Sequence, residues 1–364
     1  MFHIRHSSQH QLHLILWRKV NQRSSSSSSS SRPAISIRME AVLGIMQDKR
    51  VEVANRERVD SKIKKIIEGG PERLQFIVDF DYTLSRAHKD GEPVDCSWGV
   101  FENYPEVPGE YHEKVRMVKD KYYPVEIDVT ISLEKKIPIM IEWYKEANKL
   151  LSESGVNRSW FPKMVAQSNC ELRDDTILLL NRLNQANVPV LVLSAGLGDL
   201  IREIMIHFGV LHDNTSLVSN FLDFNQEGKV IGLKETEELI HMYNKSESIL
   251  KRSQGDTFAN RKNVVLLGDS LGDLKMADGV KDPDAVLTVG FLNKKIEESL
   301  EVYKENFDTV LVDDQSMDFP NALVSDAFKV TAAALNLVFL RIHFHFFADP
   351  SHYHLAGAAS LPSN

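Results

Sequence analysis

A short apolar run followed at once by two closely spaced acids is the feature that most limits how this chain can fold. The run Leu74–Val78 follows a Gly-Gly-Pro turn signal, and Asp79 and Asp81 come directly after it. An apolar run of this length, bounded by turn residues, predicts a central strand of a parallel sheet. Because ligands of open α/β sheets bind beyond the carboxyl ends of the strands, we expect the two acids at a binding site.

The spacing of the two acids predicts that they act together. Side chains alternate between the faces of a strand, so Asp79 and Asp81 are expected to point the same way while Phe80 enters the core. Carboxylates this close repel each other and are costly to bury unless a cation or a proton lies between them. A pair of solvated loop acids is the alternative at this point.

Two later strand ends carry polar groups. A strand predicted at 188–193 precedes Ser194–Asp199, where a hydroxyl and small residues lead into a helix and offer N–H groups for a phosphate. A strand ending at Leu267 precedes Gly268–Asp273, and its two acids suit Mg²⁺, which prefers oxygen ligands. An N-capped loop and structural acids in a glycine turn are the respective alternatives. Three polar strand ends in one chain nevertheless favour a shared site.

Alternating strand and helix patterns predict an α/β fold with a doubly wound, mostly parallel, Rossmann-like sheet. Residues 87–180 are irregular to about Pro108 and then show helical patterns without strand-like alternation, which predicts a mostly helical insertion. The predicted strands are 74–78, 188–193, 216–221, 262–268, 285–289 and 309–312. The predicted helices are 51–67, 111–121, 133–154, 160–167, 174–186 and 199–208.

Charge and cysteine content argue against nucleic-acid polymers as partners and against disulfide or zinc-thiolate sites. Residues 1–38 contain six Lys and Arg residues and no acid, so the formal charge of −8 becomes −14 for the remainder. Such an acidic body disfavours nucleic-acid polymers as partners. Cys96 and Cys170 form no CxxC pair, which argues against a disulfide scaffold or a zinc-thiolate site and favours the reducing cytoplasm.

The two ends of the sequence have unusual compositions. Residues 1–50 form an expected leader that is rich in Ser and Arg, with a serine run from Ser24 to Ser31. This composition is typical of an organellar transit peptide, and a disordered tail or true initiation at Met39 are the alternatives. Residues 336–364 are expected to form an irregular tail. No apolar run has the length that a bilayer requires.

The strand-end motifs together resemble the haloacid-dehalogenase superfamily, and more closely its cytosolic type III 5′-nucleotidases. That family contains pyrimidine and 7-methylguanosine-phosphate-specific 5′-nucleotidases. The resemblance runs roughly from Val51 to Leu335 and implies a catalytic core at 51–86 and 181–335 with a helical cap at 87–180. The motifs that carry it are Asp79–Arg86, Tyr122–Asp128, Glu142–Tyr144, Ser194–Asp199, Val218–Phe221, Leu239–Lys245 and Gly268–Gly279.

The resemblance implies a Mg²⁺-dependent hydrolysis of nucleoside 5′-monophosphates through an aspartyl-phosphate. Asp79 would be the nucleophile, and Asp81 the general acid and then the general base. The implied Mg²⁺ ligands are Asp79, the backbone carbonyl of Asp81, Asp269 and, through waters, Asp273. The implied phosphate site comprises Thr83, which orients the loop, and Ser194, Ala195, Gly196 and Lys245, although a single lysine carries little weight by itself.

For the base and sugar, the resemblance implies Glu126, Tyr144 and Trp98. A tryptophan stacks well on a cationic base, so we expect 7-methyl-GMP to be used at least as well as CMP or UMP, with a cap-core role of Trp98 as the alternative. The expected partner is a small nucleoside monophosphate. We expect the protein to be a monomer that does not associate with membranes. Another phosphatase of the superfamily, a nucleoside phosphotransferase or a non-catalytic nucleotide-binding protein are the alternative functions.

Overall fold

The computed structural model describes residues 39–128, 131–234, 239–245, 258 and 260–329. The described strands are β1 (Val51–Glu52), β2 (Leu74–Val78), β3 (His88–Lys89), β4 (Glu92–Pro93), β5 (Val190–Leu197), β6 (Thr215–Asn220), β7 (Leu222–Phe224), β8 (Val230–Leu233), β9 (Asn263–Gly268), β10 (Ala285–Leu292) and β11 (Thr309–Val312). The described α-helices are α1 (Glu40–Ile45), α2 (Arg56–Gly69), α3 (Ser97–Glu102), α4 (Gly109–Ile127), α5 (Leu133–Glu153), α6 (Phe161–Gln167), α7 (Thr176–Gln185), α8 (Gly198–His207) and α9 (Ile296–Asn306). Residues 318–329 are also helical.

Seven strands form one sheet in the order β1-β11-β10-β9-β2-β5-β6. All neighbours are parallel except β1, which pairs antiparallel with β11. All five residues of β2 are buried, as expected for a strand covered on both faces. The predicted doubly wound, mostly parallel sheet is therefore confirmed, and with it the helical insertion between β2 and β5.

The register of the central strands explains why the polar strand ends meet. Val78 of β2 pairs with Leu267 of β9 on one side and with Val192 of β5 on the other. The residues that follow these three positions therefore lie at the same level along the sheet. Because the strands are parallel, their carboxyl ends form a single edge, where ligands of such sheets bind.

The insertion is mostly helical, as predicted, but it also contains a short hairpin of β3 and β4, which sequence patterns of two residues cannot reveal. A second hairpin, β7 with β8, follows β6 and was not predicted. Its strand β8 contacts the insertion, because Val230 N donates to Val156 O at 2.9 Å and Leu233 N donates to Asn148 Oδ1. Residues from beyond β6 thus support the insertion.

Two local predictions are wrong at the N-terminal side. Residues 51–67 do not form one helix, because β1 is an edge strand and α2 begins after Asn55, whose side chain caps Arg58 N at 2.9 Å. The predicted leader also extends too far. Helix α1 is folded against the core, since Val42 is fully buried and its N–H donates to Asp326 Oδ2 at 3.0 Å.

The other terminal expectations fall on residues that the structure does not describe. Residues 1–38, with the serine run, and residues 330–364, with the predicted tail, lie outside the described ranges. Among the helices of the described part of the chain, none is both long and apolar enough to cross a membrane.

Candidate active site

Asp79 leaves β2 in extended conformation and remains tied to the sheet. Its N–H donates to Leu267 O at 3.0 Å, which continues the ladder with β9 by one residue. The side chain is only 5% exposed, at the carboxyl edge of the sheet. Burial raises the pKa of Asp79 to about 7, against the lowering effect of Lys245 and with a further rise from Asp273.

A tight turn, Phe80–Leu84, follows Asp79 and carries the second acid. The turn is closed by Ser85 N, which donates to Phe80 O at 3.0 Å, while Ser85 Oγ accepts from Tyr82 N at 2.9 Å. Tyr82 has φ 61°, in the left-handed region that side chains other than glycine rarely occupy. Such a backbone persists only where its surroundings hold it.

A buried arginine supplies that support. Arg173 donates to Tyr82 O at 2.5 Å, to Thr83 O at 2.7 Å and to Asn293 Oδ1 at 2.7 Å, and it also bonds the carbonyl of Asp314. Asn293 in turn donates to Tyr82 O at 3.1 Å. The guanidinium therefore fixes the carbonyls of the turn from beneath.

Thr83 belongs to this support rather than to the surface of the cavity. The residue is fully buried, and its hydroxyl has no hydrogen-bond partner among the described residues. Only its carbonyl is engaged, by Arg173. The location fits the expected role in orienting the loop and places the hydroxyl away from the groups that line the cavity.

Three acids from two strand ends form one cluster. Single carboxylate oxygens of Asp79, Asp269 and Asp273 all lie within 4.8 Å of one another. Asp273 is the most constrained, because its Oδ2 accepts from Asp269 N at 3.1 Å and from both Ser270 N and Ser270 Oγ at 2.9 Å. Burial raises the pKa of Asp269 well above its usual value. The cluster is a strong attractor for a cation.

Lys245 enters the same cluster from a different segment of the chain. Its Nζ lies 2.7 Å from Asp273 Oδ1 and 2.9 Å from Asp79 Oδ1, and the side chain is 3% exposed. The two carboxylates raise the pKa of Lys245 in spite of its burial, so the ammonium stays charged. The lysine that carried little weight in the sequence is therefore a buried cation at the acid cluster.

Asp81 lies apart from that cluster and faces the insertion. Its Oδ1 accepts from Ser97 N at 2.7 Å, and its Oδ2 accepts from Ser97 Oγ at 2.6 Å. Burial raises the pKa of Asp81, and the two hydrogen bonds from Ser97 offset part of that rise. An acid with a raised pKa keeps a proton to higher pH, as a general acid must.

The third strand end is more extended than predicted. Ser194, Ala195 and Gly196 continue β5 to Leu197 instead of forming a turn, with an irregular register against β6, and α8 begins only at Gly198. Ser194 Oγ accepts from Gly196 N at 3.1 Å. The three residues still line the cavity beside Asp79 and Lys245, so they present small groups and a hydroxyl where a phosphate would bind.

A cavity of about 450 Å³ joins these groups to the insertion. Trp98 and Tyr144 meet edge to face, with ring centroids 6.2 Å apart, and both donate to Ala195 O, at 3.3 and 3.2 Å. Glu126 lies on the same wall, and burial raises its pKa to about 7. The predicted base-binding residues therefore line the same cavity as Asp79 and Asp269.

Comparison with known proteins gives the chain its family. The family model described as Pyrimidine 5′-nucleotidase (UMPH-1) matches residues 82–328. The chain is 38% identical over 283 residues to 7-methylguanosine phosphate-specific 5′-nucleotidase A of Xenopus laevis, which covers 78% of this chain and 97% of the relative. The enzyme of that specificity from Homo sapiens is 38% identical over 268 residues, covering 73% and 89%. This chain belongs to the pyrimidine 5′-nucleotidase family.

A solved structure supports the same assignment. The crystal structure of cytosolic 5′-nucleotidase IIIB bound to cytidine is 33% identical to the chain, with a TM-score of 0.73, and covers 80% of this chain and 97% of that one. The resemblance to type III 5′-nucleotidases and the assignment as a 5′-nucleotidase enzyme are thereby confirmed. The family match begins at Tyr82, so the roles of Asp79 and Asp81 depend on the geometry described above.

The acid cluster of this pyrimidine 5′-nucleotidase family member fits a magnesium ion. Asp79 Oδ1 is buried and, despite its ion pair with Lys245, lacks the alignment of a hydrogen bond, so this oxygen has a free lone pair. Asp79 and Asp269 would be the direct carboxylate ligands, because both oxygens of Asp273 already accept from neighbours. Mg²⁺ keeps several waters, and Asp273 would order them.

Several residues of the site were not predicted from the sequence. Ser97 and Arg173 act through hydrogen bonds to the turn after β2, and a single serine or arginine gives no sequence signal for that. Glu102 and Tyr123 line the space around the base-binding residues, and burial raises the pKa of Glu102 to about 7. An acid in a helix of otherwise apolar character was the only available hint for Glu102.

Proposed function

We propose that this chain hydrolyses nucleoside 5′-monophosphates to nucleoside and phosphate, through a phosphorylated Asp79 and with Mg²⁺ as cofactor. The observation that carries the proposal is the cluster of Asp79, Asp269, Asp273 and Lys245, at a cavity that Glu126 also lines. Membership of the pyrimidine 5′-nucleotidase family supports the same reaction.

The first step transfers the phosphoryl group to the protein. A carboxylate oxygen of Asp79 attacks phosphorus as the bond from phosphorus to O5′ breaks, and the electron pair of that bond stays on O5′. Asp81 donates its proton to O5′, so the nucleoside leaves as a neutral alcohol. The two acids need opposite protonation states: the ammonium of Lys245 beside Asp79 favours the ionised form of that carboxyl group, whereas burial of Asp81, away from this ion pair, favours its protonated form.

The second step returns the enzyme to its first state. Asp81, now ionised, takes a proton from a water molecule as that water attacks the phosphorus of phospho-Asp79. The bond between phosphorus and the Asp79 oxygen breaks, and phosphate leaves. One carboxyl group thus serves as acid and then as base, which explains the need for a second acid beside the nucleophile.

The negative charge of the phosphate would be stabilised by groups that the fold holds in place. Lys245 is a fixed cation beside Asp79, and Ser194, Ala195 and Gly196 line the same cavity. Preorganised donors of this type stabilise charge that develops in the transition state. When bound, Mg²⁺ supplies further positive charge that lets a carboxylate approach a phosphate dianion.

The aromatic wall of the cavity favours a planar, cationic base. Trp98 and Tyr144 offer ring surfaces, and Glu126 offers a carboxylate, ionised above a pKa of about 7. A positively charged 7-methylguanine gains from both features, by cation–π and by charge attraction. We therefore propose 7-methyl-GMP as a substrate used at least as well as CMP or UMP, in keeping with the names of the relatives.

The remaining expectations follow from the same proposal. Transfer of phosphate from phospho-Asp79 to a nucleoside acceptor is a side reaction of the same chemistry, since an alcohol replaces the water. A cytoplasmic monomer that acts on small nucleotides and not on nucleic-acid polymers is the proposed form, and an organellar location through residues 1–38 is the alternative.

A substrate screen tests the proposal. Purified protein is assayed for phosphate release from 7-methyl-GMP, GMP, CMP, UMP and AMP with and without Mg²⁺. We expect Mg²⁺-dependent release that is abolished by chelation, with kcat/KM for 7-methyl-GMP equal to or above that for CMP. Lack of release from every nucleoside monophosphate would refute the reaction, and a large preference for CMP or UMP would refute the base assignment.

A further inference from the structure

A serine of the insertion holds the second acid of the site. Ser97 is the first residue of α3 and is fully buried. Its N–H and its hydroxyl engage the two oxygens of Asp81 separately, at 2.7 and 2.6 Å. Two donors from one residue fix both the position and the rotation of the carboxyl group.

The same hydroxyl is anchored to the core sheet. Leu197 N, at the end of β5, donates to Ser97 Oγ at 3.2 Å. Since Leu197 N occupies one lone pair of Ser97 Oγ, the hydroxyl proton remains available to Asp81 Oδ2, to which it donates. The order of donation therefore runs from the backbone of β5, through the serine of the insertion, to the acid of the turn after β2.

Gly196 shows how closely these groups are packed. A Cβ atom at this position would clash with Ser97 Oγ and would lie 2.6 Å from Asp81 Oδ2. The absence of a side chain at Gly196 is therefore what allows the serine and the acid to meet above β5. Ser97 itself is not among the residues that line the described cavity, whereas Asp81 is.

We propose that Ser97 is a positioning residue for general-acid catalysis, which aims the Asp81 carboxyl group at the leaving oxygen when α3 is packed against β5. The inference depends on the proposed function, because it assigns Asp81 the proton that O5′ receives as its bond to phosphorus breaks. Ser97 forms no bond to the substrate and acts through Asp81 alone.

The proposal makes a specific demand on the leaving group. A poor leaving group, such as an alkoxide or a phenolate, needs the proton of Asp81, whereas 4-nitrophenolate departs without it. The value of kcat/KM reports the step in which Asp79 is phosphorylated. If the Asp81 carboxyl group is no longer positioned correctly, kcat/KM must fall for nucleoside monophosphates and for phenyl phosphate. It must stay nearly unchanged for 4-nitrophenyl phosphate, which has nearly the same shape as phenyl phosphate.

The test compares these three substrates on Ser97→Ala and on wild-type protein. General-acid catalysis accelerates a reaction by a factor of about 10² to 10⁴. Because Ser97 N remains in place in the alanine variant, we expect kcat/KM to fall by about tenfold or more with the two substrates that have poor leaving groups. The change with 4-nitrophenyl phosphate should stay below about threefold. If the alanine variant folds poorly, Ser97→Cys should give the same pattern, because a thiol has a similar shape to the hydroxyl but is a weak donor.

Two variants calibrate the comparison. Asp81→Asn should show the same dependence on the leaving group with a larger loss. Ser152→Ala is the matched control, because Ser152 is exposed and its hydroxyl donates to Lys149 O within its own helix, so kcat/KM for all three substrates should be unaffected.

Equal losses on all three substrates, or no loss on any, would overturn the inference, because either outcome leaves the dependence on the leaving group unchanged. The proposed function fails separately. Wild-type protein that cleaves the aryl phosphates but no nucleoside monophosphate would refute the 5′-nucleotidase reaction, while the comparison of phenyl with 4-nitrophenyl phosphate would still decide the role of Ser97.

Discussion

Replacement of Arg173 by methionine should destabilise the protein and impair catalysis together. The side chain is 2% exposed and donates four hydrogen bonds, three of them to backbone carbonyls and one to Asn293. It also lies over the ring of Phe291, at 4.3 Å from the centroid. Arg173→Met keeps the length of the side chain and removes every donor.

The size of the effect follows from two opposing terms. Hydrogen bonds from charged donors are worth about 1.5–3 kcal/mol each, so the four bonds contribute about 6 kcal/mol at the lower bound. Burial lowers the pKa of Arg173 to about 10, a net shift that disfavours the charged form by about 3 kcal/mol. Removing the guanidinium recovers that cost, so the net loss is about 3 kcal/mol, a large part of the stability of a typical domain.

The assay is urea unfolding of wild-type and variant proteins, with kcat measured on the same preparations. The Tyr82 backbone loses its support in Arg173→Met, so we expect kcat to fall by more than tenfold under conditions where the protein is still folded. Arg56→Met is the control, because Arg56 is exposed and pairs with Asp60 on the surface of α2, an interaction worth less than about 1 kcal/mol. If Arg173→Met lowers the free energy of unfolding and kcat no more than Arg56→Met does, the reasoning is refuted.

Two further predictions concern the cavity. Glu126→Gln should lower kcat/KM for 7-methyl-GMP at least tenfold and leave kcat/KM for phenyl phosphate unaffected. Because the carboxylate is ionised only above its raised pKa of about 7, the KM of the variant for 7-methyl-GMP, divided by that of the wild type, should increase as pH rises through 7. A ratio that does not change with pH would contradict the role of the charge. Gly196→Ala should reduce turnover of nucleoside monophosphates at least as strongly as Ser97→Ala, since a Cβ would displace both Ser97 and Asp81; activity within twofold of the wild type would show that this packing is not required.

Much of the fold and the central part of the site could be predicted because they depend on strand ends. A buried parallel strand has a strong apolar signature, and the register of such a sheet brings its carboxyl ends together. The sequence therefore predicts that Asp79, Asp269 and Asp273 meet, and in the structure they do. The same logic placed Ser194 at the site, although β5 continues past it instead of turning.

The remainder depends on contacts between distant segments, which leave no periodic signal. Lys245 resembles any surface lysine in sequence, yet tertiary packing buries it between two carboxylates. Ser97 and Arg173 are informative only through their hydrogen-bond partners, which lie 16 residues away for the serine and about 90 residues away for the arginine. Short elements such as β3, β4 and α1 are likewise fixed by their neighbours and not by local propensity.

Chemical trapping of the phosphorylated residue tests the central claim most directly. The protein is mixed with Mg²⁺ and 7-methyl-GMP or CMP, quenched, and treated with borohydride, which reduces an acyl phosphate of aspartate to homoserine. Peptide mass spectrometry should find homoserine at position 79 and at no other acid, and Asp79→Asn should abolish both the product and phosphate release. Homoserine at position 81 or 269, or full turnover by Asp79→Asn, would contradict the account.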